Sequence, residues 1–165
     1  MAEQTRLIAV GDPVPDVKVW VPGDEGMEAH QTSDLFAGKH VACFFVPGAF
    51  TPTCNNQLPG FVKAADDFRA AGVDEILCVS VNDAFVMQAW GKAMNADGKV
   101  TMVGDGNGDF TRSIGASFDG SGFGLSTRAI RLSMLVRDGV VEHFHVEENP
   151  GALEVSDAMT LLADL

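Results

Sequence analysis

Apolar residues along this chain follow two different periods. Residues 40–46, His-Val-Ala-Cys-Phe-Phe-Val, form a continuous apolar run between Lys39 and Pro47. A run of that length with no polar face predicts a strand covered on both sides, as at the centre of a parallel sheet. Residues 75–81 predict a second core strand and residues 100–103 a short third. Two more short strands are expected at 14–20 and near Met27, where Pro and Gly punctuate the chain. Between the core strands the period lengthens. Leu58, Phe61, Val62, Ala65 and Phe68 mark one face of a helix from about 53 to 71, closed by Gly72. Pro59 lies inside that pattern and predicts a bend about one turn after Cys54. Asn82 or Asp83 caps a second helix, whose stripe is read as Val86, Ala89, Trp90 and Ala93. Residues 98–125 are glycine-rich, with a helical turn expected at 110–114. Strands at 129–137 and 140–146 are joined by Asp138-Gly139, a strong hairpin signal. A last helix runs from about Ser156, with Ala158, Leu161, Leu162 and Leu165 on one face. The order predicts an α/β fold, a central mixed β-sheet flanked by helices on both faces. No repeat or linker divides residues 1–165, which read as a single domain.

Composition narrows the function classes. A chain of 165 residues buries enough surface, about 68–70% of that of its unfolded form, to need no disulfide staple. Its formal charge of −12 argues against nucleic acid and anionic membranes as partners. No apolar stretch approaches the length of a membrane span, and residues 1–6 show no secretory pattern. The expectation is a cytoplasmic protein. Three cysteines, Cys43, Cys54 and Cys78, are too few and too scattered for a disulfide framework and leave room for a reactive thiol.

Chemistry concentrates in residues 46–54, Val-Pro-Gly-Ala-Phe-Thr-Pro-Thr-Cys. A strand ends in a Pro/Gly turn, and a helix begins with Cys54 in its first turn. Backbone N–H groups and the positive end of the helix dipole favour thiolate over thiol there, and the thiolate is the nucleophile. The competing reading is an inert buried cysteine. Three neighbours favour reactivity. Pro47 can shield the sulfur, Thr51 can place a hydroxyl beside it, and Pro52 stiffens the backbone before the helix.

The pattern Pro47-x-x-x-Thr51-x-x-Cys54 resembles the active-site signature of peroxiredoxins. The longer string 46–54 is similar to the type II, or peroxiredoxin-5-like, subfamily. So are residues 81–90 and residues 131–136 with the Asp138-Gly139 turn. The resemblance runs from about residue 8 to the C-terminus. It implies a thioredoxin-like fold and thiol-dependent reduction of hydrogen peroxide and organic hydroperoxides, with Cys54 as the reactive sulfur. It also implies that Arg131 is the active-site arginine. The residues support that choice, since a guanidinium inside an otherwise apolar strand needs an anionic partner. A thiolate would serve, and so would one of the chain's many carboxylates. Arg131, Ser133 and Leu135 are expected on one side of the strand, with Ile130, Leu132 and Met134 on the other. Arg128 is expected to face away from Arg131 and ranks second.

The family chemistry passes through a sulfenic acid that a second thiol resolves. Some members use a cysteine near positions 154–156, and this chain has none there. Cys78 resembles the second cysteine of plant-type members but reads at least as well as core, and Cys43 reads as core. The expected reductant is glutathione with glutaredoxin, or thioredoxin. The resemblance further implies a homodimer using residues around Phe50 and the 82–85 turn. One departure stands out. Subfamily members usually carry one more residue, often ending in histidine, before the Leu-Pro of this helix. Here the run is Cys54-Asn55-Asn56-Gln57-Leu58-Pro59. The shortening either rotates the remainder of the helix by about 100° or removes a π-bulge.

Other signals carry less. Residues 105–109 resemble the start of a calcium loop, but Phe110 stands where glycine is needed and Ala116 where glutamate is needed. His143 and His145 share a strand face without an evident third ligand. No metal and no cofactor are expected. The absence of C-x-x-C argues against a dithiol oxidoreductase. Two rival readings are a peroxide sensor that relays Cys54 oxidation to a protein partner, and a thiol hydrolase, which would need a histidine base beside the cysteine.

Overall fold

The computed structural model describes residues 6–149 and 151–165, with the backbone alone at Cys54. The strands are β1 (Lys18–Gly23), β2 (Gly26–Gln31), β3 (His40–Val46), β4 (Glu75–Ser80), β5 (Thr101–Gly104), β6 (Ser117–Asp119), β7 (Thr127–Ala129), β8 (Leu132–Arg137) and β9 (Val140–Val146). Seven of them form one sheet in the order β2-β1-β5-β4-β3-β8-β9, while β6 and β7 pair separately. β3 runs parallel to β4 and antiparallel to β8, and β4 runs parallel to β5. The sheet is therefore mixed. Every residue of β3 is buried, as its unbroken apolar run requires at the centre of a two-sided sheet.

Two cores cover the two faces. One holds Ala42, Phe44, Val46, Cys78 and Leu135 of the sheet, under Leu58, Phe61, Phe68, Met87, Trp90 and Leu161. These last come from α2 (Cys54–Lys63), α3 (Ala65–Ala70), α4 (Ala84–Ala93) and α6 (Ala158–Leu162). The other core sets Cys43, Phe45, Leu132, Met134 and Val136 against α1 (Thr32–Phe36) and α5 (Asp109–Ser113). The rings of Phe44 and Phe61 stack 4.0 Å apart, which joins α2 directly to the central strand.

Several expectations need correction. The helix expected over 53–71 is two helices, separated at Ala64 (φ −90°, ψ 2°). The interruption follows Pro59 by five residues, and Pro59 itself lies within α2. Leu58, Phe61, Ala65 and Phe68 are nevertheless all buried, as their spacing predicts. In α4 the buried face is Ala84, Met87, Trp90 and Gly91, while Ala89 and Ala93 are not part of it and Val86 is half-buried. The segment is apolar on nearly every side, so two stripes fit it and packing chose the other. Leu165 is 41% exposed and lies off the buried face of α6. β1 begins four residues later than the strand expected from residue 14. The strand expected over 129–137 is divided. Residues 127–129 pair with β6, and the main-sheet strand starts at Leu132. The β8–β9 hairpin turns at Asp138 (φ 47°) and Gly139 (φ 80°), the left-handed pair its sequence predicts.

Candidate functional site

At the carboxyl end of β3 the chain turns through residues 47–53 and enters α2. Crevices at strand carboxyl ends are where open α/β sheets place their ligands. Pro47 and Gly48 are buried. Phe50 is 50% exposed with φ +66°, a conformation that costs a residue with a Cβ about 1–2 kcal/mol. Three contacts hold the turn. The Ala49 N–H donates to Asn82 Oδ1 (3.0 Å), which also accepts from Ser80 Oγ (2.6 Å). Arg128 Nη1 donates to the Pro47 carbonyl (3.1 Å). Thr51 Oγ1 donates to the Gly48 carbonyl (2.8 Å). That last bond refines the role expected of Thr51. Its proton is committed to Gly48, so the hydroxyl presents acceptor lone pairs to the crevice.

The first turn of α2 is regular. The Asn55 N–H donates to the Thr51 carbonyl (2.9 Å) and the Gln57 N–H to the Thr53 carbonyl (3.0 Å). No i→i−5 bond stands among these, and both readings of the shortened run, a rotated remainder or a lost π-bulge, agree with such a helix. Cys54 is the first residue of the helix. The expected placement of its sulfur beside Arg131 lies outside the described atoms. Asn55 Oδ1 accepts from the indole Nε1 of Trp90 (2.8 Å), which ties α2 to α4.

Arg131 is 2% exposed and sits just ahead of β8. Its Nη1 donates to Gln57 Oε1 at 2.7 Å. Gln57 follows Cys54 by three residues on one helix, and positions so spaced share a helix face. The expected alternation holds. Leu132 and Met134 belong to the core on the far side of the sheet, while Arg131 reaches the α2 side. Gln57 Nε2 donates in turn to the Ser156 carbonyl (3.0 Å). The segment ending at Ser156 is gathered by Glu147, whose Oε2 accepts from the N–H groups of Glu154, Val155 and Ser156 and from Ser156 Oγ. Burial opposes ionisation of Glu147, but these donors outweigh it and hold its carboxyl below the ordinary glutamate range.

The remaining residues singled out from the sequence occupy distinct places. Arg128 does not face away from the site. β7 belongs to the small sheet, so strand alternation does not run on from β8, and the guanidinium bridges the Leu125 and Pro47 carbonyls. A Cβ at Gly48 would stand 2.5 Å from Arg128 Nη1, so a larger residue there would displace the guanidinium from its place against the Pro47 carbonyl. Cys78 is buried in β4, in register with Phe44 and Met102, on the sheet face that α2 covers. Cys43 is buried on the opposite face, and burial pushes its thiol far up. The Asp105 carboxylate of the calcium-like run accepts from the N–H groups of Phe110 and Thr111, the work of a helix cap. His145 Nε2 lies 2.6 Å and His143 Nδ1 3.8 Å from Asp164 Oδ2, a carboxylate that the strand pattern alone did not bring near. Among the described residues, no helix is long and apolar enough to cross a membrane.

The matches to known proteins agree with one another. The redoxin family model matches residues 9–162. Peroxiredoxin sll1621 of Synechocystis sp. is 45% identical over 159 residues, which are 92% of this chain and 84% of that protein. Peroxiredoxin-2B of Arabidopsis thaliana is 42% identical over 160 residues, 96% of this chain and 98% of that one. Among solved structures, reduced Prx3 from Vibrio vulnificus in complex with H2O2 superposes with a TM-score of 0.91 at 46% identity, covering 96% of this chain and 99% of its own. The sheet and its flanking helices are thus the thioredoxin-like fold expected from the sequence.

Proposed function

This chain belongs to the redoxin family as a peroxiredoxin, a thiol peroxidase, and from that premise we propose that Cys54 is its peroxidatic nucleophile, with Arg131, Thr51 and Pro47 forming the peroxide site. The observation that carries the assignment is the buried guanidinium of Arg131 bonded to Gln57, one turn along the helix that Cys54 begins. The Cys54 thiolate attacks the terminal oxygen of the peroxide. A sulfur–oxygen bond forms as the O–O bond breaks, and the electron pair leaves on the other oxygen, which takes up a proton from solvent and departs as water or an alcohol. Arg131 and backbone N–H groups at the start of α2 oppose the charge developing on that oxygen, as fixed donors do where charge appears. Thr51 accepts a hydrogen bond from the peroxide O–H and so orients it. Pro47 walls the crevice against water.

Sulfur is oxidised to a sulfenic acid and peroxide is reduced. An external thiol then attacks that sulfur, releasing water and forming a mixed disulfide, which a second thiol reduces. Glutathione with glutaredoxin is the reductant we favour, since positions 154–156 hold no cysteine. Cys78 is the alternative resolving thiol within the chain, and its burial beneath α2 means the helix must move for it to act. Both hydrogen peroxide and organic hydroperoxides are proposed substrates, within a reducing compartment, the cytoplasm. Residues 1–165 act as one domain, and two copies pair through the face carrying Phe50 and Phe85, which are 50% and 69% exposed. The test is peroxide consumption with glutathione, glutaredoxin and thioredoxin systems compared side by side, in wild type and Cys78→Ser. Turnover with glutaredoxin that survives Cys78→Ser is expected. Turnover by thioredoxin alone that vanishes in Cys78→Ser would assign resolution to Cys78 instead.

A further inference from the structure

We propose that Arg128 is a positioning residue for the peroxide chemistry, a clamp that locks the turn carrying Pro47 and Thr51 to the 120–125 loop and so fixes the wall of the crevice where peroxide is oriented. The proposal rests on Pro47 and Thr51 forming the peroxide site.

The guanidinium is itself held in place before it holds the turn. β7 pairs with β6, which sets Arg128 opposite Phe118. The loop between these strands closes on itself: the Gly120 N–H donates to the Ser126 carbonyl (2.6 Å) and the Leu125 N–H to the Gly120 carbonyl (3.0 Å). Arg128 Nε donates to the Leu125 carbonyl (2.9 Å), which sets the plane of the guanidinium. Nη1 then meets the Pro47 carbonyl at 3.1 Å, 81 residues away in the chain.

The turn that receives it needs such a hold. Phe50 sits at φ +66°, and a conformation of that kind persists only where its surroundings over-determine it. Asn82 fixes the turn at the Ala49 N–H, and Arg128 fixes it at Pro47. Between those two points the Gly48 carbonyl accepts the Thr51 hydroxyl (2.8 Å). The direction of the Thr51 lone pairs therefore follows from where Gly48 is set. Pro47 and Gly48 are buried and Arg128 is half-buried, and the guanidinium occupies the space beside Gly48 that a Cβ would take. Arginine suits this place for a specific reason. Its rigid fork carries donors in fixed directions and never gives up its charge, so two carbonyls can be joined at a set angle. The ammonium of a lysine is a point charge without that fork.

The experiment compares two reactions of one sulfur. Oxidation of Cys54 by hydrogen peroxide needs an oriented peroxide, whereas alkylation by iodoacetamide needs only an accessible thiolate. Both are followed by rapid mixing in wild type, Arg128→Met, Arg128→Lys, Gly48→Ala and Thr51→Val, with circular dichroism as the folding control. A folded Arg128→Met is expected to oxidise about 10–10²-fold more slowly, as displaced positioning groups cause, with alkylation unchanged. Gly48→Ala pushes the guanidinium off the Pro47 carbonyl without removing its charge and is expected to show the same split. In the double variant the two losses should not add, because both act on one contact. If Arg128→Met does not fold, Arg128→Lys and Gly48→Ala decide, and wild-type oxidation in both would overturn the proposal. So would wild-type oxidation in a folded Arg128→Met, wild-type oxidation in Arg128→Lys beside a slow Arg128→Met, or oxidation and alkylation falling together. If Thr51→Val is slow while the Arg128 and Gly48 variants are not, only the clamp fails. If Thr51→Val is as fast as wild type, the reading of the peroxide site fails and takes this proposal with it.

Discussion

A cysteine in water gives up its proton near pH 8.5, and the role assigned to Cys54 requires that it do so below neutrality. A helix start favours the thiolate, and a guanidinium beside the sulfur, as proposed for Arg131, would act in the same direction. Arg131→Met is therefore expected to slow Cys54 oxidation by about 10²–10³-fold, the usual cost of one fixed donor, when the reaction is followed by rapid mixing. Cys43 provides the contrast. Its thiol is buried against apolar side chains and pushed up, so Cys43→Ala is expected to leave peroxide turnover unchanged. Mass spectrometry after brief alkylation of the native protein should find Cys43 unmodified, and its rapid labelling would contradict the packing. At this scale Pro47, Thr51 and Cys54 can be proposed from the sequence alone because they fall within eight residues at one turn. Gln57 cannot be. Its partners lie 74 and 99 residues away, and nothing local in Cys54-Asn55-Asn56-Gln57 signals them. Arg128 escapes a local reading for a related reason, because the side-to-side alternation of β8 ends where the chain passes between two sheets.

Elements turn these residues into a site by holding one another. The crevice loop hangs from Asn82 and Arg128, and α2 hangs from Trp90 and from the segment gathered by Glu147. Glu147 makes that last attachment pH-dependent. Its carboxyl ionises below the ordinary value of 4.5 in the folded protein. Its contribution is thus full above about that pH and declines as pH falls through the folded value. Denaturant titrations across the acid range should show wild type more stable than Glu147→Gln near neutrality, with the difference shrinking below about pH 4. A difference that stays constant with pH would show that the carboxylate's charge is not what matters. The apolar period is enough to place β3, β4 and the buried face shared by α2 and α3, since each has a single apolar reading, though not the break between those helices at Ala64. It misplaces the face of α4, where apolar side chains surround the helix and only contact with Met102 and the sheet selects Met87 over Ala89.

In the whole molecule, chain order is enough to predict a mixed sheet covered on both faces, and the sheet order that puts β3 between a parallel neighbour, β4, and an antiparallel one, β8, comes from pairing that no local window contains. Exposed Phe85 beside Trp20 and Met27 is where a second copy is expected to sit. Phe85→Asp should shift sedimentation toward the monomer, and an unchanged dimer would move the interface elsewhere. Peroxidase activity of the whole molecule depends on Cys54 being the sulfur that meets peroxide. The most direct measurement is the second-order rate of hydrogen peroxide reduction at pH 7 in wild type and in Cys54→Ser. We predict oxidation of Cys54 orders of magnitude faster than that of a free thiol, as a preorganised site permits, and no fast phase once the cysteine is replaced. A fast phase that survives Cys54→Ser, or a wild-type rate no greater than a free thiol's, would contradict it.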